Sequence, residues 1–143
     1  MAKGTHSREF RMELLFKTLS DHTRLRLIHL LGDEEVCVCL CVEVLKTNQP
    51  KISRHLAYLR RAGLVRARRD GKWTHYRLVE PADPRAAKIF SELRKWLASN
   101  PQMQSDKACL EKICCADRST WPKRVANVAL QFQDEHQTAR VNQ

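Results

Sequence analysis

The chain of 143 residues suffices for one domain and is short for two, with 43% hydrophobic residues as in an ordinary globular core. Four glycines and five prolines favour helices over a turn-rich all-β design, no apolar run approaches the roughly 20 residues of a membrane span, and MAKGTHSREF lacks the apolar stretch of a secretory signal. The net charge of +10 is concentrated: Lys46 to Arg77 holds ten Lys/Arg against one acid, Asp70, and this local +9 points to a polyanionic partner rather than a membrane.

Residues 1–8 read as a disordered arm. From Glu9 the residues Phe10, Met12, Leu14, Leu15, Phe16 and Leu19 recur at helical spacing. Asp21 or Thr23 is placed to cap a second helix carrying Leu25, Leu27, Ile28, Leu30 and Leu31, which Gly32 ends. Asp33-Glu34-Glu35 put negative charge at the start of a third helix, Val36 to Leu45. After the turn Thr47-Asn48-Gln49-Pro50, a fourth helix runs through Ile52, Leu56 and Leu59 to Gly63. Two short strands around Asp70-Gly71 predict a β-hairpin. A last clear helix spans about Arg85 to Ser99, with Ala86, Ile89, Phe90, Leu93, Trp96 and Leu97 on one stripe. The expected organisation is a domain over 9–99 and a cysteine-containing tail over 100–143.

Two helices joined by a short turn, then a glycine, then a hairpin make a winged helix-turn-helix. The expected fold is mainly α with a small β-hairpin. In the fourth helix Ile52, Leu56 and Leu59 face the core, leaving Gln49, Lys51, Ser53, Arg54, His55, Tyr58 and Arg60 for the major groove of duplex DNA. Gln and Arg suit bidentate contacts to base edges, while Ser and Lys reach phosphates or bases. The hairpin forms a wing whose Arg68, Arg69 and Lys72 meet phosphate.

Three stretches carry a resemblance: Phe16 to Arg26, Gln49 to Val65, and Gly71 to Leu78. Over residues 10–98 the chain resembles the ArsR/SmtB family of metal-sensing repressors. The resemblance implies a homodimer on a palindromic operator, formed by the first helix and the helix at 85–98. The implied interface residues are Phe10, Leu14, Ile89, Phe90, Leu93, Trp96 and Leu97. The apolar stripe of the last helix fits a partner helix independently, and fits burial in its own subunit equally well.

A chain without a secretory signal is expected in the cytoplasm, where six clustered cysteines point to metal or redox chemistry rather than structural disulfides. Thiolates are soft ligands, and trivalent arsenic takes three sulfurs in a pyramid, antimony likewise. Cys37, Cys39 and Cys41 form the first candidate set; Cys109, Cys114 and Cys115 form the second. On a regular helix Cys37 and Cys41 share a face while Cys39 turns away by roughly 200°. In a strand Cys37 and Cys41 stand about 13 Å apart. Neither regular structure wraps one ion with three sulfurs, so capture is expected to distort the helix that positions the reader.

The first set is similar to the family's Cys-Val-Cys metal motif. The arsenic branch often places its third cysteine five residues after the first; here that position is Val42 and the third cysteine is Cys41. Some family members bind arsenicals through a vicinal pair near the C-terminus, which the second set resembles. A family site for cadmium or lead adds N-terminal cysteines, and residues 1–20 have none; a zinc site on the last family helix needs His, and residues 85–99 have none. The expected function is repression of resistance genes, relieved by trivalent arsenic. The competing reading is a thiol redox regulator in which Cys37 pairs with Cys41, or the two sets pair with each other. An enzyme is not expected: there is no Cys-x-x-Cys, no phosphate-binding glycine loop and no Ser/His/Asp arrangement.

Overall fold

A computed structural model describes residues 11–32 and 34–115, the side chain of Cys115 excepted. The expected arm at 1–8, Phe10, Asp33 and everything after Cys115 lie outside the described residues. In chain order the elements are α1 (Met12–Leu19), α2 (His22–Leu31), β1 (Val36–Cys37), α3 (Val38–Leu45), α4 (Gln49–Arg61), β2 (Val65–Asp70), β3 (Trp73–Leu78), α5 (Pro84–Ala98) and α6 (Pro101–Cys115). The fold is mostly helical with a small antiparallel sheet, a winged helix-turn-helix. Among the described residues no helix is long and apolar enough to cross a membrane.

Caps set the helix ends. The Asp21 carboxylate accepts from the Arg24 backbone N–H at 3.0 Å and starts α2. Asn48 does the same for α4 through the Lys51 N–H, with Pro50 in the first turn. At the other end of α4, Leu64 N–H donates to the Leu59 carbonyl and Gly63 N–H to that of Arg60. This paired closure needs a left-handed residue, and Gly63 supplies it at φ 75°. Ile52, Leu56 and Leu59 are fully buried, so α4 is locked against rotation by three apolar anchors, each contributing about 1.5–3 kcal/mol.

The third helix starts later than its sequence predicts. Val36 and Cys37 are extended and pair with Tyr76 and His75 of β3, and α3 begins only at Val38. Val36 is β-branched and finds a strand edge in register, which outweighs the dipole argument for starting a helix after Glu35. The hairpin therefore becomes a three-stranded sheet in the order β1-β3-β2. Its tip is a two-residue loop, Gly71-Lys72, between the paired Asp70 and Trp73. Beyond buried Val65 the rest of β2 is exposed, so the hairpin projects as a wing.

The largest departure lies after Ser99. The expected tail boundary falls at Asn100, whose carboxamide accepts from the Gln102 and Met103 N–H groups and starts α6. This helix packs on α2 and α3. Met103 and Leu110 are buried, and Asp106, only 3% exposed, receives both Nε and Nη2 of Arg26 at 2.8 Å and the Gln102 amide at 2.9 Å. The stretch reads as polar because its inward face is narrow, one Met, one Asp and one Leu spaced three and four apart. A charged pair this shielded depends on both partners. Asp106→Ala is expected to lower the unfolding free energy by about 1–3 kcal/mol, read from urea denaturation, and to speed amide exchange in α6 before the rest of the chain.

Candidate nucleic-acid interface and thiol site

The α4 face opposite its anchors carries Lys51, Arg54 and Arg60 exposed, with Gln49, Ser53 and Tyr58 half-buried. Gln49 Nε2 donates to Ser53 Oγ at 2.8 Å, which pre-arranges two of the expected base-reading side chains. On the wing Arg66, Arg69, Lys72 and Arg77 are exposed.

Three expected DNA-contact residues already have partners in the protein itself. His55 turns towards the start of α2: its Nδ1 lies 3.3 Å from Arg24 Nη1 and 3.7 Å from Asp21 Oδ1. Burial pushes His55 below its ordinary pKa, Arg24, Lys51 and Arg54 add to the fall, and Asp21 opposes it. A neutral ring accepting at Nδ1 from Arg24 suits this environment. Tyr58 stacks beneath Arg24 and Arg61, at 4.7 and 5.3 Å from guanidinium carbon to ring centre. Arg68 is chelated by Glu35, with contacts of 2.6 to 3.0 Å, and sits 3.8 Å from Asp70. Arg68 in turn holds the Glu35 carboxyl below its usual range.

Residues the sequence did not single out tie these parts together. Arg24 is buried, and it donates from Nε to the Thr18 carbonyl at 2.7 Å and from Nη2 to that of Lys17 at 3.0 Å. It thereby satisfies unpaired carbonyls at the end of α1 while touching the reading helix. A cleft of about 330 Å³ between α4 and β3 is lined by Ser53, Leu56, Ala57, Arg60, Arg61 and Tyr76. No local pattern marks Arg24 or Tyr76, because their contacts with α4 span elements far apart in sequence, whereas Arg61 meets Tyr58 one turn away on the same helix.

The thiols are not arranged as on a regular helix. Because Cys37 is the extended cap residue before α3, its Sγ lies 2.8 Å from Cys39 Sγ, a thiol–thiol hydrogen bond within the buried core. The expectation that Cys39 turns away from Cys37 fails for that reason: the helix does not include Cys37. Cys41 is fully buried in the same core. The hydrogen bond to Cys37 pushes the Cys39 thiol well up, with burial and the neighbouring sulfurs adding. Burial, then Cys37, pushes Cys41 up to about 12. Among the described residues no three His, Cys, Asp or Glu side chains stand together as a ready metal site. In the second set, Cys109 is half-buried and Cys114 exposed on α6, while the Cys115 side chain lies outside the description.

On the helices expected to dimerise, Phe90 and Leu97 point inward with Ala86 and are buried in their own core. They sit at i, i+4 and i+11 from Ala86, and this inner stripe excludes them from a partner-facing role. Leu14 and Leu93 are half-buried. The apolar side chains left outside are Met12 and Phe16 on α1 and Ile89 and Trp96 on α5, the last 76% exposed. Spacing of four and seven residues was the available signal for this outer stripe.

The family model for bacterial regulatory proteins of the arsR family matches residues 21–67. The arsenical resistance operon repressor of Escherichia coli is 43% identical over 106 residues, 73% of this chain and 89% of that one. The arsenic resistance transcriptional regulator ArsR1 of Pseudomonas putida is 49% identical over 77 residues, 52% of this chain and 60% of that one. Among solved structures, a homodimeric winged helix-turn-helix DNA-binding domain from Mycobacterium bovis matches with 26% identity and a TM-score of 0.50. That match covers 68% of this chain and 91% of the domain.

Burial also depresses His29, helped by Lys107 and Arg94 and opposed by Asp106. Folding thus lowers both His29 and His55, so the unfolded chain takes up protons first. Stability is full above the ordinary histidine value of 6.5 and falls as pH drops through the lowered folded values. Urea midpoints are expected to fall between pH 7.5 and 5.5, and His29→Gln with His55→Gln to flatten that slope.

Proposed function

This chain belongs to the ArsR family of bacterial regulatory proteins, and from that premise we propose that it is a homodimeric repressor released from its operator when Cys37, Cys39 and Cys41 capture trivalent arsenic or its analogue antimony. The family and the relatives above are DNA-binding transcriptional regulators, not enzymes. The finer reading rests on one observation: two buried thiols already touch at the joint where β1 turns into the first helix of the helix-turn-helix.

The burial of these thiols favours an uncharged guest. Arsenous acid is neutral and bears three hydroxides. Each thiol that binds forms one arsenic–sulfur bond, its proton leaves with a hydroxide as water, and no net charge enters the core. A divalent cation held by three thiolates leaves a net charge there, which is costly to bury. Completing the three-sulfur set draws Cys41 towards the Cys37–Cys39 pair and deforms α3, which packs directly on the reading helix.

On the DNA side, Gln49, Lys51, Ser53, Arg54 and Arg60 read the major groove, with Tyr58 at its edge. Arg69 and Lys72 of the wing reach phosphate, while His55 positions the reading helix from within and Arg68 braces the wing through its surface pair with Glu35. Met12, Phe16, Ile89 and Trp96 are the apolar side chains a partner subunit covers, in keeping with the homodimeric neighbour.

The deciding experiment is fluorescence anisotropy on an operator selected from random duplexes. Arsenite is expected to release the native dimer. Cys37→Ser with Cys39→Ser retains DNA binding but loses the response, and Cys114→Ser with Cys115→Ser keeps most of it. Unchanged affinity at saturating arsenite and antimonite refutes the reading; release by peroxide alone favours thiol oxidation instead. Separately, Ile89→Glu with Trp96→Glu is expected to give monomers in sedimentation and to weaken operator binding about 100-fold or more, since two half-sites are then no longer bound together.

A further inference from the structure

Strand β1 is two residues long, yet it joins the thiols to the wing. Val36 is paired with Tyr76 and Cys37 with His75 on β3, whose other edge carries β2 along its whole length. One residue before β1, Glu35 chelates Arg68 of β2 across the sheet. Tyr76 reaches from β3 to the cleft beside Arg60. Cys37 thus has three simultaneous duties: last residue of a strand, cap position of α3, and sulfur in contact with Cys39. It cannot change one without straining the others.

The two neighbours of this joint are held very differently. The reading helix α4 has its own side-chain cap, a glycine closure and three fully buried anchors. Between it and α3 lies a short turn starting at Lys46, a left-handed residue (φ 52°) that ends α3 independently of the thiols. The wing is anchored at its base, where Val65 and Leu78 are buried and Trp73 and Tyr76 pack half-buried on the core, but Arg66 to Asp70 are all exposed, and the β1 pairing and the Glu35–Arg68 pair are what tie it to the thiol segment. A displacement at Cys37 therefore meets less resistance towards the wing than towards the reader.

We propose that β1 relays the state of the thiol segment to the wing, so that ligand capture breaks the Cys37–His75 register and withdraws the wing cations from DNA. This rests on the thiol-sensing reading above and names the route by which that site acts. The reading helix stays seated in its own core while the second point of attachment to the duplex is lost.

A thermodynamic cycle tests the route. Operator affinity is measured with and without arsenite for the full-length native chain and for Arg69→Ala with Lys72→Ala, with arsenic per protomer counted by intact-mass spectrometry. In the native chain arsenite is expected to weaken binding by roughly 5- to 150-fold. In the wing variant, already weaker without arsenite, that factor is expected to fall to about a third or less of its native value, because the contacts to be withdrawn are gone. An equal factor in both proteins overturns the proposal; no response in the native chain instead refutes thiol sensing itself. Hydrogen exchange on the native dimer gives a second reading: arsenite should speed amides of Trp73–Leu78 and leave those of α4 unchanged, and the reverse pattern overturns the relay.

Discussion

Helix α3 is buried on nearly every side. Of its eight residues only Glu43 is partly exposed, and the others pack against α2, α4, α6 and the sheet. A helix apolar all round has no stable place except an interior, so these residues fix where the remaining elements sit. Two of the cysteines belong to this helix and a third caps it. The thiols are thus structural parts of the core. Interiors pack as densely as organic crystals and shift between discrete arrangements rather than yielding gradually. A displacement of these sulfurs is therefore passed on to whichever neighbour of α3 is held least firmly.

Electrostatic and apolar terms divide the labour on the reader. The buried leucines and isoleucine of α4 set its position, at energies no surface ion pair matches. Arg24 then sets its neighbourhood: one guanidinium closes the end of α1, meets His55 and lies over Tyr58. The helix that bears exposed Met12 and Phe16 is thereby connected to α4 through a buried side chain.

Most of the architecture was legible in the sequence because it rests on local signals. Asp21, Asn48, Pro50 and Gly63 mark helix ends, and Asp70-Gly71 marks the hairpin, each by chemistry confined to a few residues. What was not legible depends on distant partners. Val36-Cys37 continues a helical pattern by itself and becomes a strand only because β3 offers an edge. His55 and Arg68 look like DNA contacts on charge and position; His55 is turned inward by Asp21 and Arg24, while Arg68 stays on the surface and is engaged there by Glu35. Phe90 and Leu97 share an apolar stripe with Ile89 and Trp96, and only the packed fold divides it into an inner and an outer half. The thiol contact follows from the strand-to-helix change at Cys37, so it was hidden for the same reason as β1.

The seating of α6 bears on how shortened forms of this protein behave. A chain ending near Ser99 keeps every element of the reader and the wing, and looks like the minimal functional unit. It also loses Met103, Asp106 and Leu110, strips Arg26 of its carboxylate and lays open the flank of α2 and α3. Deleting the second cysteine set in that way removes a wall of the compartment that holds the first. A changed arsenical response in such a truncation would report the damaged wall as readily as the missing sulfurs, and only point substitutions that leave α6 in place separate the two.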